Sequence, residues 1–248
     1  MITRILLCWL LLIAGPALAD PTRLVGIQGI DDRRTVRGDT APWMAIGRVN
    51  RGTLSRATSG HCTGTLVTPN TVLTAAHCLW NQRTLTWLPP DVLHFVAGYD
   101  RGSFMAHARV RAVELAPDVC GGCPPTNSTI LRGDWALLHL RLALTTVTPI
   151  PVANAALANN EPLVQAGFSR DRAQVLTAHG GCGGRHTPGG LIAHDCDATY
   201  GDSGSPLLRA GPDGPEVIGL HVASARVPAG GLGGRAIPID AFAAAVPR

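Results

Sequence analysis

Aromatic residues are scarce in this chain, at 4% of 248 residues, and no run of like charges occurs along it. A nucleic-acid surface sets clustered basic residues among aromatics. The formal charge of +4, carried by scattered arginines, therefore reads as a solvated surface, and nucleic acid is not an expected partner. No internal repeat, low-complexity tract or Gly/Ser-rich linker is present, which argues against a repeat array or a loosely tethered second domain. Carboxylates form no cluster that suggests calcium. Beyond the first nineteen residues, no apolar stretch is long enough to cross a bilayer as a helix.

Those first nineteen residues read as an export signal. Arg4 supplies a positive start, Ile5 to Ala14 an apolar run too short for an anchor, and Ala17-Leu18-Ala19 a small-x-small cleavage site. A soluble protein of residues 20–248, secreted to the periplasm or beyond and not held in a membrane, is the expectation. Removal of the signal takes Cys8 with it and leaves Cys62, Cys78, Cys120, Cys123, Cys182 and Cys196. An even number in an oxidising compartment implies three disulfides. The alternative is zinc, because Cys120-Gly-Gly-Cys123 has metal-ligand spacing, but no second close pair accompanies it. No metal site is assigned.

What the chain does have is 46% hydrophobic residues, Gly 29 and Pro 19. That combination favours short strands joined by tight turns. Apolar segments recur at Ala45–Val49, Cys62–Val67, Val72–Ala75, Val92–Ala97, Ala108–Leu115, Trp135–Leu140, Leu163–Gly167, Ala173–Ala178, Ser205–Leu208 and Val217–Val222. An all-β barrel or sandwich follows from this pattern. Only Ala241–Val246 reads as a short terminal helix, and Thr146–Ala153 is the best connection between two halves.

Three motifs carry chemistry. In Leu73-Thr74-Ala75-Ala76-His77-Cys78 a histidine follows a strand, where an imidazole can take and return a proton near neutrality. In Gly133-Asp134-Trp135-Ala136 a lone acid opens an apolar segment, placed to accept an imidazole N–H and fix its tautomer. In Gly201-Asp202-Ser203-Gly204-Ser205-Pro206, glycines on both sides of a serine allow a sharp turn. The hydroxyl needs a base to become a nucleophile, and the amides of Gly201 and Ser203 are placed to stabilise an oxyanion. Read singly, each motif has a bland alternative: a surface histidine, an aspartate ending a loop, a Gly/Ser/Pro turn.

Together, in the order His, Asp, Ser, the motifs resemble the chymotrypsin/trypsin clan of serine peptidases. A closer resemblance is to the bacterial V8-like, or glutamyl endopeptidase-like, branch. It rests on Gly29-Ile30-Asp31-Asp32-Arg33, Pro42-Trp43, Ala45-Ile46-Gly47, His194-Asp195-Cys196-Asp197 and Ile218-Gly219-Leu220-His221. The resemblance implies two antiparallel six-stranded β-barrels, at about 40–148 and 149–238, with the active site between them. It implies His77, Asp134 and Ser203 as a catalytic triad, disulfides Cys62–Cys78 and Cys182–Cys196, and a small Cys120–Cys123 loop. Val222, Ala223 and Ser224 would form the edge that pairs with substrate backbone, with Ala223 leaving the adjacent subsite open. The implied activity is hydrolysis of peptide bonds in peptides or proteins by a monomer that needs no metal or organic cofactor.

The resemblance gives two forecasts for substrate choice. Asp197 stands where trypsin-like enzymes hold the acid that pairs with Arg or Lys, and it tilts the choice toward a basic side chain. His221 stands where glutamyl endopeptidases hold a histidine that contacts Glu. The two could also bond to each other, Asp197 could brace the loop near Cys196, and His221 could be a satisfied strand histidine. Asp202 matches an aspartate that pairs with a freshly cut amino terminus in trypsin-like zymogens, and Arg23-Leu24-Val25-Gly26 resembles such a cut site. The rival function is a catalytically silent binding protein on the same fold, although no triad residue is missing. A periplasmic quality-control protease would carry an appended peptide-binding domain, for which no room follows Ser203.

Overall fold

The computed structural model describes residues 24–52, 60–117, 119, 131–158, 161–225, 227 and 231–247. The export signal, Cys8, Arg23 and the Cys120–Cys123 pair lie outside the described residues.

Six strands form a closed antiparallel barrel: β1 (Ile46–Arg51), β2 (His61–Thr68), β3 (Thr71–Thr74), β4 (Leu93–Ala97), β5 (Ala106–Leu115) and β6 (Ala136–Leu140). Closure follows from β1 pairing with both β2 and β4, so that no edge is left to recruit another chain. The period-2 pattern expected from the sequence is clearest in β5, where Ala108 and Val110 are buried and Arg109 and Arg111 exposed. Ile46, Leu66, Leu73, Phe95 and Leu137 fill the core, with no exposed surface.

A second sheet contains β7 (Leu163–Gly167), β8 (Thr177–Cys182), β9 (Gly184–His186), β10 (Ile192–His194), β11 (Pro206–Gly211), β12 (Gly214–Ser224) and β13 (Gly234–Pro238). With Arg34–Thr35 added beside β8, it is an eight-stranded sheet in the order Arg34–Thr35, β8, β7, β11, β12, β13, β10, β9. This corrects the expectation of two six-stranded barrels. β8 and β9 lie at opposite ends of the pairing order yet are joined through Gly183 alone, so the sheet curls until its ends meet. Hydrogen bonding does not close it, because Arg34 and Thr35 occupy the edge of β8 at Ala178 and Thr177. The second unit is a partly closed barrel.

The C-terminal helix expected at Ala241–Val246 is also corrected. Ile239–Ala241 forms a single 3₁₀ turn, and further turns follow it. Six residues are too few to offset helix nucleation, and Pro247 biases its predecessor away from helical geometry. Burial of Phe242, at 1% exposure, fixes the segment instead. No helix among the described residues is long and apolar enough to cross a membrane.

Candidate active site

His77 sits in a 3₁₀ turn, Ala76–Leu79, directly after β3. Asp134 sits just before β6, the strand that pairs with β3. Adjacent strands thus deliver the two side chains to one place. One carboxylate oxygen of Asp134 accepts the His77 backbone N–H at 2.7 Å, and the other meets His77 Nδ1 at 2.6 Å. A carboxylate can only accept, so Nδ1 carries the hydrogen and Nε2 of the neutral ring keeps its lone pair. Asp134 is 2% exposed, so water does not compete for this bond. The disulfide Cys62–Cys78, with S–S 2.07 Å, ties the histidine turn to β2. Those two sulfurs lie near His77, but as a disulfide they offer no thiolate to a metal.

Ser203 lies in the loop between β10 and β11. Gly201 and Gly204, at φ +97° and +85°, make the turn that glycine alone adopts readily. A Cβ on Gly204 would lie 2.2 Å from the Thr63 carbonyl oxygen, so this residue cannot be enlarged without moving β2. The amides of Asp202, Gly204 and Ser205 donate to Thr199, His221 and Asp202 carbonyls. Those of Gly201 and Ser203 donate to no other group among the described residues. Two free N–H groups beside a serine hydroxyl are what an oxyanion requires.

His77, Gly201 and Ser203 line one cavity of about 520 Å³, together with His221 and Val222–Ser224 of β12. The β12–β13 register shifts between His221 and Ala223, a bulge that falls where β12 borders the cavity. His221 is buried, with Nδ1 3.0 Å from His194 Nε2 and Nε2 3.2 Å from Ser224 Oγ. Ser224 Oγ donates to the Ala198 carbonyl at 2.6 Å, which leaves it to accept from His221. Burial, and then the nearby His77, push the His221 ring down to about 3, so it is neutral at ordinary pH. The Thr199 hydroxyl is buried without a partner among the described residues, and Thr199 also lines the cavity.

Asp197 is placed differently. It is fully buried and does not line the cavity. Its carboxylate accepts the backbone N–H groups of Gln28 at 2.7 Å and Asp32 at 2.9 Å, and its own N–H donates to His179 Nδ1 at 2.8 Å. Asp197 and His221 do not bond to each other: His221 takes His194 and Ser224 instead. The Asp202 carboxylate is bonded by Ser169 Oγ at 2.7 Å and Thr199 N at 2.8 Å, so the lead-in's amides go to Asp197 and not to Asp202. The second disulfide, Cys182–Cys196, closes at S–S 2.09 Å next to Asp197.

Sequence reasoning missed Thr63, His194 and the lead-in amides. Thr63 stands in an apolar run beside Cys62, where a buried hydroxyl is itself a signal that a polar partner must exist.

Residues 30–246 match the family model described as Trypsin. The chain belongs to the trypsin family. It is a serine-type endopeptidase with a chymotrypsin-like fold. No curated protein sequence matches it. Among solved structures it is similar to a Glu endopeptidase in complex with MPD, at TM-score 0.70 and 21% identity over 89% of this chain and 95% of that one. It is also similar to the protease Anisep from Arthrobacter nicotinovorans, at TM-score 0.63 and 17% identity over 83% and 93%. At these identities the likeness speaks for the fold.

Proposed function

We propose that this trypsin-family peptidase cleaves peptide bonds through an acyl-enzyme on Ser203, with a glutamate side chain in its primary pocket. Ser203 Oγ attacks the carbonyl carbon while His77 Nε2 takes the hydroxyl proton. Asp134 orients the ring and stabilises the imidazolium, and the Gly201 and Ser203 amides hold the oxyanion. His77 then returns the proton to the departing amine, and water releases the acid by the same sequence. The observation that carries this reading is the half-buried His77, held by the buried Asp134 and opening on the cavity that also holds Ser203. Residues 1–19 are read as the signal that exports the protein, and Val222–Ser224 as the strand edge that binds substrate backbone.

The pocket favours glutamate over a basic residue for a specific reason. The one acid that would recognise Arg or Lys, Asp197, already accepts two backbone N–H groups. What borders the cavity is the unpartnered Thr199 hydroxyl, able to donate to a carboxylate, beside a His221 ring whose two nitrogens are held by His194 and Ser224. The similarity to a Glu endopeptidase supports the same choice.

The test has two parts. A fluorophosphonate probe should label the wild-type protein and not the Ser203→Ala variant; absence of labelling in the wild type would return the chain to a binding role. Profiling of a peptide library should show cleavage after Glu, and cleavage after Arg or Lys would reassign the pocket to Asp197.

A further inference from the structure

The cavity extends beyond the groups that the reaction and the primary pocket use. Arg51, His61, Arg170 and Tyr200 also line it, and His61, Arg170 and Tyr200 gather on the Gly201 side of the serine. A Cβ on Gly201 would lie 2.8 Å from Arg170 N and 3.1 Å from His61 Nε2. Arg170 N donates to the Tyr200 carbonyl at 2.6 Å, and the Arg170 guanidinium lies 5.1 Å from the centre of the Tyr200 ring. His61 is bonded to the Phe168 carbonyl through Nε2 at 2.7 Å. Two loops and a strand therefore bring the Arg170 guanidinium, the Tyr200 ring and His61 to one wall of the cleft.

The charge on this wall is one-sided. Among the described residues, no Asp or Glu lines the cavity, and Arg170 pairs with no carboxylate. Arg170 is held by a ring face, which leaves its N–H edge able to bond a carboxylate. The local field is visible at His61, whose ring burial and the charges of Arg48 and Arg170 push down to about 4. A neutral His61 adds no repulsion to a substrate acid and no charge of its own.

A peptide that pairs its backbone with Val222–Ser224 before the cleaved bond must run on past Ser203 and Gly201 after it. At about 3.3–3.6 Å per extended residue, the first three residues of the leaving segment cover roughly 10 Å. We propose that Arg170 forms a second recognition site that binds a carboxylate side chain in that leaving segment, an Asp or Glu within three residues after the cleaved bond. This rests on reading the cavity as the peptide-binding cleft. The substrates it selects are then acidic on both sides of the cut.

The experiment uses quenched fluorescent peptides of one sequence, with Asp, Ala or Lys at each of the first three positions after the cleaved bond. The readout is the ratio of kcat/KM values within each protein, which is insensitive to the fraction of active enzyme. The wild type should prefer Asp over Lys by about tenfold or more at one of these positions, and high salt should shrink the ratio because exposed charges are screened. In Arg170→Gln the ratio should fall to within about twofold of one. Equal cleavage of the three peptides by the wild type, or a ratio unmoved by Arg170→Gln, overturns the proposal. The same peptides are also titrated onto the Ser203→Ala protein by fluorescence anisotropy. If the wild type cleaves nothing, preferential binding of the Asp peptide still supports the basic subsite while the catalytic reading fails. Equal binding of Asp and Lys peptides overturns the subsite.

Discussion

The hydroxyl of Thr63 donates to the carbonyl of Gly201 at 3.0 Å, joining the closed barrel to the loop that carries Ser203. The same oxygen accepts from Phe168 N at 2.9 Å, and Thr63 N donates to the Ser203 carbonyl at 2.9 Å. One buried residue of β2 thus fixes the two carbonyls beside the serine from the opposite unit. With these carbonyls held, the loop on both sides of the proposed oxyanion amides is anchored, and the Gly201 and Ser203 N–H groups have no internal partner among the described residues.

Thr63→Val keeps the shape and deletes both side-chain bonds, leaving a buried N–H and a buried C=O without partners. The expected cost is about 2–4 kcal/mol, since each orphaned polar group costs roughly 1–3. Urea unfolding of the variant in a Ser203→Ala background measures it. In the active protein kcat should fall more than KM rises, because the donors act on the oxyanion and not on the ground-state carbonyl. A change in KM alone would assign Thr63 to packing.

Asp134→Asn leaves the geometry close to native but offers an amide N–H₂ where the ring N–H now donates. The ring is then free to take the other tautomer, with hydrogen on the nitrogen that should accept. A fall in kcat of about 10⁴ is expected, read by steady-state kinetics on a peptide substrate. Retention of more than a tenth of the wild-type kcat would separate Asp134 from the reaction.

Asp197 is predicted to act on the pocket from behind. Its carboxylate holds the lead-in at Gln28 and Asp32, and Val25 of the same segment lines the cavity. Asp197→Ala removes two charge-assisted bonds and should destabilise the protein by about 3 kcal/mol or more. The residue preference should persist with a raised KM, and the lead-in should become sensitive to added protease. Loss of the wild-type residue preference on this substitution, with the fold retained, would place Asp197 in the pocket instead.

Much of the architecture was legible because both signals were local. Alternating burial marked β5, and a His, an Asp and a Gly-bracketed Ser each followed or opened an apolar run. The pairing of Arg34 and Thr35 with β8 was not legible, because two exposed residues carry no period. Nor were β9 and β10, strands of three residues each whose pairing is set by neighbours distant in sequence. Asp197 shows the deeper limit. Its position relative to Ser203 forecasts a pocket acid, but its partners come from residues 165 and 169 positions away, and only the fold brings them together.

Asp202 should give this protein an acid-stable component. The side chain is wholly buried, and burial raises its carboxyl to about 6 against the lowering effect of bonds from Ser169 and Thr199. One carboxylate oxygen has no partner among the described residues. In the unfolded chain the same group titrates near 4. Between about pH 4 and 6 the folded state therefore keeps a proton that the unfolded state has released. The stabilisation is fully present below about pH 4 and is lost as pH rises through about 6, amounting to on the order of 3 kcal/mol. Asp202→Asn removes this group from the balance. Thermal unfolding of both proteins in the Ser203→Ala background, from pH 4 to 8, should show the Asn variant gaining on its parent as pH rises through 6. Parallel curves would mean that Asp202 is ionised in the folded protein throughout that range, with its charge satisfied where it lies.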